Sequence, residues 1–223
     1  MSAGLSTPPA PHAIDIAPPD ISGWAASPTG VAYVHERASG LPGPEVLLTA
    51  LVHGNEYSGA LALDAFLRSG VAPRCGRITA VFCNVAAFAQ FDPRAPDASR
   101  FVDEDFNRVW SSAALDGPGT SAELQRARVI RPLVDRATHL LDLHSMHEPC
   151  APLLVTGTLP RNIAFAQALG SGGQIIVDAG HADGVRMRDY GAFGDAAGER
   201  IALLLEAGQH WDRASVSAAR NVL

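Results

Sequence analysis

Hydrophobic positions fall into short dense runs separated by longer polar stretches, and the runs are of two kinds. "EVLLTALVHG", "RITAVFCNVAAF", "THLLDLHS", "APLLVTG", "QIIVD" and "RIALLLEAG" are compact blocks rich in Leu, Val and Ile. Such runs read as strands, with "EVLLTALVHG" a buried central one and "RITAVFCNVAAF" ending in a chain reversal. "GVAYVHER" reads as a further strand nearer the N-terminus. Helical segments lie between them. The first runs from Glu56 to about Ser69 and meets Gly70 in the usual C-cap position. Thr120 followed by Glu123 has the pattern of a capping box and predicts a helix to about Ala137, with Pro132 forcing a kink or an early end. Pro160 opens a third helix that closes at Leu169, and residues 209 to 221 resemble a final one.

Two stretches break this rhythm. Pro8, Pro9, Pro11, Pro18 and Pro19 remove amide donors from the first 24 residues and predict an extended N-terminal segment, 1–24. Residues 87–120, with Pro93, Pro96, "DG" and "GPG", are mostly loop, and a loop of that length points to function. The remaining order of buried strands and amphipathic helices predicts a three-layer α/β domain over 25–223, without an internal repeat or a second compact domain. Strand order is not legible in this pattern.

Composition narrows the class. The 223 residues are 47% hydrophobic with a net charge of −6, and a mean hydropathy of +0.09 fits a globular chain. No basic block suits nucleic-acid phosphates, and no run approaches the 18 or so apolar residues of a membrane span. Cys75, Cys83 and Cys150 lack CxxC spacing and predict a reducing compartment. "MSAGLSTPPA" is a poor signal peptide, so the cytoplasm is the expected location.

Candidate chemistry begins at "LVHGNEYSG", where His53 and Glu56 stand three apart after a predicted central strand. If Glu56 starts a helix, an i,i+3 relation turns both side chains toward one point. Zinc accepts imidazole and carboxylate together, and a catalytic site commonly takes three protein ligands. His144, at the end of "LLDLHS", supplies a third donor from another strand end, where open α/β sheets bind ligands. Asp142 stands two residues before it, as a partner for a histidine or for local backbone. The plainer reading is the more ordinary one on the residues alone: Glu56 favouring a helix N-terminus, His53 capping backbone groups. Glu206, ending "LLLE", is a catalytic acid or a core-edge acid bonded to backbone. Arg100, Asn107 and Arg108 lie in the charged loop, where surface salt bridges are the ordinary explanation.

Taken in order, "HGNE", "SRFVDEDFNR", "DLHS" and "LLLEAG" resemble the succinylglutamate desuccinylase/aspartoacylase family of the zinc carboxypeptidase-like superfamily, over most of residues 40 to 210. The resemblance implies a three-layer zinc carboxypeptidase-like domain with a central mixed β-sheet. It implies His53, Glu56 and His144 as ligands of one zinc ion per chain. Glu206 matches the family's catalytic glutamate, Arg100 the arginine that polarises the scissile carbonyl, and Asn107 and Arg108 the pair that binds a substrate carboxylate. The implied activity is hydrolysis of a non-peptide C–N amide bond in a small N-acyl amino acid. The alternatives are a metallocarboxypeptidase acting on short peptides and a non-catalytic metal- or carboxylate-binding module. Family members often carry a C-terminal β domain at the active-site entrance; the chain ending at Leu223 is expected to lack it, which leaves the acyl group and homo-oligomerisation open.

Other features carry less. "GSGG" at 170–173 lacks a phosphate-loop pattern and reads as a turn. Cys150 reads as a small, partly buried cysteine and His147 as exposed or lining the pocket. Arg186, Arg188 and Tyr190 occupy a probable loop and are expected at the surface.

Overall fold

The computed structural model describes residues 12–170 and 173–223. Residues 1–11 of the predicted N-terminal segment, and the middle of "GSGG", lie outside the described residues. Seven strands are found among the described residues: β1 (Val34–Ala38), β2 (Glu45–Ala50), β3 (Arg77–Phe82), β4 (His139–Met146), β5 (Leu153–Val155), β6 (Gln174–Ile176) and β7 (Ile201–Gln209). They form one sheet in the order β1-β3-β2-β4-β7-β5-β6. The three inner pairs, β3 with β2, β2 with β4 and β4 with β7, are parallel. β1 joins β3 and β5 joins β7 antiparallel, so the sheet is mixed, as expected.

Helices α1 (Ser58–Ser69), α5 (Pro160–Leu169) and α6 (Arg213–Asn221) cover one face. There Leu63, Ala166 and Ala219 pack with Leu48, Ala50, Leu141, Leu143, Leu203 and Leu205 in one buried cluster. The alternate residues Leu47, Leu140 and Ala202 face the other way, against Leu124, Ala127, Ile130 and Val134 of α4 (Ala122–Arg136). Successive strand side chains point to opposite faces, so inner strands that are apolar at nearly every position require this double cover. The α/β class and the three layers follow. Each fully buried Leu or Val contributes about 1.5–3 kcal/mol.

Local boundaries differ from expectation where side-chain chemistry is non-local. α4 is capped by Ser121, whose Oγ accepts the Leu124 N–H at 3.1 Å, and not by Thr120. Glu123 closes no capping box; its carboxylate accepts the N–H groups of Val102, Asp103 and Glu104 at 2.7, 3.0 and 3.2 Å. α4 also runs past Pro132 to Arg136. Ile130 and Val134, buried on either side of the proline, hold that turn against the sheet and outweigh the lost bond. Two short helices, α2 (Val85–Phe88) and α3 (Ser112–Asp116), interrupt the long loop and its approach. Before β1, residues 14–16 pack on the core, with the Asp15 N–H bonded to Trp211 O at 3.1 Å and Tyr57 OH donating to Ile16 O at 2.9 Å. Among the described residues no helix is long and apolar enough to cross a membrane.

Candidate active site

The C-terminal ends of β2, β4 and β7 supply the site. Directly after β2 the chain turns at Leu51, a buried residue with φ of 59°. That left-handed conformation costs a non-glycine residue about 1–2 kcal/mol. Bonds from Cys83 N to Ala50 O (2.8 Å) and Asn84 N to Leu51 O (2.7 Å) hold the strand end in place. His53 and Glu56 follow in a tight turn, closed by the Glu56 N–H on His53 O at 3.2 Å. Glu56 does not open a helix: α1 starts at Ser58, so the expected helical i,i+3 relation is replaced by the turn. Gly54 in that turn has no room for a side chain, since a Cβ would lie 2.5 Å from backbone atoms of Ala87 and Phe88. Its N–H donates to Arg100 O at 3.0 Å and ties the turn to the long loop.

Parallel register then sets His144 of β4 beside Glu206 of β7. Both continue the α4-facing rows of their strands, after Asp142 and Leu204. His53 Nδ1 lies 2.7 Å from Glu56 Oε1, and His144 Nδ1 lies 3.0 Å from Glu56 Oε2. All three residues are buried, with donor atoms within 4.8 Å of one another. Behind the rings, His144 Nε2 is 2.8 Å from Asp142 Oδ2, and the other oxygen of that carboxylate, Oδ1, accepts a 2.7 Å bond from Thr49 Oγ1. His53 Nε2 is 2.9 Å from Asp105 Oδ1, which also accepts the Asn107 N–H at 2.8 Å. Two imidazoles converging on one carboxylate, each fixed from behind by an aspartate, make a donor set that fits a metal ion of the zinc type. His53, Glu56 and His144 can therefore hold a metal. Asp142 takes the histidine partnership open to it in the sequence, and Asp105 is a new member; its place in "DEDFNR" was the available signal.

The electrostatics are sharply divided. Burial pushes Glu56 up, but the charges of His53 and His144 and their hydrogen bonds win and hold its carboxyl well below the usual range. Burial also opposes the charge on His144, yet Asp142 and Glu56 raise it well above an ordinary imidazole. Glu206 goes the other way. Its Oε2 is enclosed with no hydrogen-bond partner among the described residues. Burial pushes the carboxyl up to about 8; His144 and Arg100 pull it down, while Glu56 and Asp142 add to the rise.

The long loop completes one wall. Arg100 Nη1 donates to Glu56 Oε1 at 3.0 Å, and its Nη2 lies 3.1 Å from His53 Nε2. Asn107 is buried, with Oδ1 fixed by the Met187 N–H at 2.9 Å. Arg108 has no acidic partner among the described residues, and its Nη1 donates to Asn107 O at 2.9 Å. A cavity of about 230 Å³ is lined by all seven residues singled out in the sequence: His53, Glu56, Arg100, Asn107, Arg108, His144 and Glu206.

Ser145, His147, His181, Arg186 and His210 share that lining. His210 sits against Ser145, with Nδ1 2.8 Å from its Oγ, and burial pushes it down to about 4, so it is neutral at pH 7. Ser145 ends the motif "DLHS" on β4, next to His144, whereas nothing in the local sequence marks His210, which the end of β7 brings to it from 65 positions along the chain. Three surface expectations are corrected. Arg186, Arg188 and Tyr190 are buried. Asp178 takes Arg186 in a two-point pair at 2.8 and 2.9 Å, Asp189 meets Arg188 at 2.9 Å, and Arg131 Nε donates to Tyr190 OH at 2.8 Å. Cys150, expected to be partly buried, is exposed.

The succinylglutamate desuccinylase/aspartoacylase catalytic domain matches residues 42–216 of the chain. No curated protein matches in sequence. Among solved structures, a succinylglutamate desuccinylase from Chromobacterium violaceum is similar with a TM-score of 0.64 and 20% identity, over 86% of this chain and 63% of that one. A succinylglutamate desuccinylase/aspartoacylase from Rhodobacter sphaeroides gives 0.59 and 22%, over 82% and 55%. The product-bound ectoine utilization protein EutE from Ruegeria pomeroyi gives 0.61 and 21%, over 82% and 57%. At these identities the likeness is one of fold, and the chain spans 55–63% of the length of those three.

Proposed function

This chain belongs to the succinylglutamate desuccinylase/aspartoacylase family, and from that premise we propose that it is a zinc-dependent deacylase cleaving the amide bond of a small N-acyl amino acid. The observation that carries the reading is a single cavity holding the buried His53–Glu56–His144 set and the enclosed, unbonded carboxyl of Glu206. His53 Nδ1, the Glu56 carboxylate and His144 Nδ1 are the atoms that would hold zinc. Zinc bound there supplies Lewis-acid chemistry, acidifying water and polarising a carbonyl.

The chain's own residues do the rest. Asp142 and Asp105 fix the two imidazoles, so that their Nδ1 atoms point inward. The Glu206 carboxyl, which lines the cavity, takes the proton of the attacking water and returns it to the departing amine nitrogen. Its raised carboxyl suits a group that must both accept and release a proton near neutrality. Arg100, beside Glu56, offers its guanidinium to the charge that develops on the carbonyl oxygen. Arg108, without an acidic partner among the described residues, presents its guanidinium and Asn107 a buried amide to the substrate carboxylate. The products are a carboxylate and an amine. A volume of about 230 Å³ lies below the roughly 300–1,000 Å³ of drug-sized pockets, which favours a small acyl amino acid over an extended peptide.

The test is a side-by-side panel of N-acyl amino acids and short peptides on zinc-loaded protein. We expect turnover of the former, and a fall of about 10²–10⁴-fold in kcat for Glu206→Gln with zinc retained. Turnover of peptides alone would move the protein to the metallocarboxypeptidase reading. Zinc binding without hydrolysis of either class would leave only a binding module.

A further inference from the structure

A second group of metal-ligating side chains adjoins the same cavity through His147, which lines it, and has no role in the proposed hydrolysis. His12, His147 and Glu148 bring donor atoms within 4.8 Å of one another. His12 Nε2 lies 3.5 Å and His147 Nδ1 3.1 Å from the same oxygen, Glu148 Oε1. The two rings meet edge to face at 4.8 Å between centroids. On the far side of its ring, His147 Nε2 lies 3.3 Å from Asp97 Oδ2.

This reproduces the plan of the buried centre. There, too, two imidazoles converge on one carboxylate through nitrogens that face inward, with an aspartate behind the ring. The ordinary alternative, solvated surface ion pairs, accounts for each contact alone but not for two imidazoles turned onto one oxygen. Such pairs contribute about 0–1 kcal/mol and pay side-chain entropy to hold that geometry. The segment that carries His12 is anchored three and four residues later, where the Asp15 N–H and Ile16 O bond to Trp211 and Tyr57.

We propose that His12, His147 and Glu148 form a second, weaker binding site for a divalent transition-metal ion at the mouth of the cavity. Two imidazole nitrogens and one carboxylate oxygen match zinc, nickel or copper, whereas calcium and magnesium demand sets of oxygen ligands. Water completes the shell, because the side chains of His147 and Glu148 are 49% and 69% exposed. That exposure makes the site weaker than the buried one, since flexible side chains must be ordered to form it. A bound ion would join the segment before β1 to the turn after β4, with Asp97 of the long loop orienting His147. Three segments around the cavity mouth would then be held together.

The experiment is a zinc titration of metal-stripped protein, free of any polyhistidine tag, against a chromogenic chelator. Cobalt absorbance reports ligand type, and magnesium is the control ion. Wild type should take up one more zinc ion per chain than His12→Ala, and one more than Glu148→Gln. Both substitutions fall at or near the surface and leave the buried centre intact. Because the comparison counts ions rather than activity, it is decided whatever the buried centre binds or catalyses. Equal stoichiometry in wild type and either variant would overturn the proposal, as would a magnesium uptake equal to that of zinc.

Discussion

Glu206 and Asp142 show how single side chains set the properties of the site. Glu206 is an acid whose ordinary value of 4.5 is moved to about 8 in the metal-free fold. Between those values the folded chain keeps a proton that the unfolded chain has lost, so stability falls as pH rises through the window. Glu206→Gln removes that dependence. In zinc-free protein its melting temperature should match wild type near pH 4.5 and exceed it increasingly toward pH 8, by about 2–4 °C for each kcal/mol. A difference that does not change with pH would remove the burial argument. Asp142 acts through His144. Because Asp142 orients the ring, Asp142→Asn should weaken zinc binding by about 10–100-fold with the fold intact by circular dichroism. Unchanged affinity would show that His144 needs no such support. Both residues were legible as candidates in "DLHS" and "LLLEAG", and a histidine as partner for Asp142, but the other groups that act on them were not. Thr49, Glu56 and Arg100 come from other elements.

Strand and helix registers turn those side chains into a site. The match of His144 with Glu206 across β4 and β7 fixes two chemical groups on neighbouring strands, and slippage by one residue would point them to opposite faces. α1 packs against the same strand through Gly59, where a Cβ would lie 2.8 Å from Leu143 Cβ. Alanine there gains about 1 kcal/mol of helix propensity but forces an overpacked contact costing typically about 1–3 kcal/mol. The neighbour is the Cβ of a central strand beside His144 and has little freedom to give. Gly59→Ala should therefore lower the melting temperature, by up to about 8 °C, and loosen zinc; a rise in melting temperature would show that the helix can move. Apolar runs revealed the strands, and glycine and proline most helix ends. Where prediction slipped, at Ser121, at Pro132 and in the turn before α1, the deciding contacts joined distant elements. Glu123 is the clearest example, drawn from its expected cap to the amides of the long loop.

For the whole molecule, a metal shared by β2 and β4 would join the turn that follows one strand to the end of its neighbour. An ion that binds only the folded chain stabilises it by about 2.7 kcal/mol at a hundredfold excess over Kd. Chelation should accordingly lower the melting temperature by about 5–10 °C, and zinc should restore it. A transition unmoved by chelator would argue against zinc at the buried centre. The seven site candidates, scattered from position 53 to 206, line one cavity because parallel strands bring His53, Glu56, His144 and Glu206 to the same edge of the sheet and the long loop lays Arg100, Asn107 and Arg108 against them.

The sequence by itself determined the α/β class, the buried strands and the types of chemical group, since these depend on local hydrophobic spacing and on motifs a few residues long. It also carried the family resemblance. Tertiary structure alone decided the strand order, the turn geometry of Glu56 and the pairing of His53 with Asp105. It alone buried Arg186 and Arg188 against Asp178 and Asp189, raised the Glu206 carboxyl, and brought His12 to His147. The physical reason is common to all of these. Desolvation and charge pairing depend on the distance between groups in space, and groups far apart in the chain acquire that distance only when the sheet closes its registers.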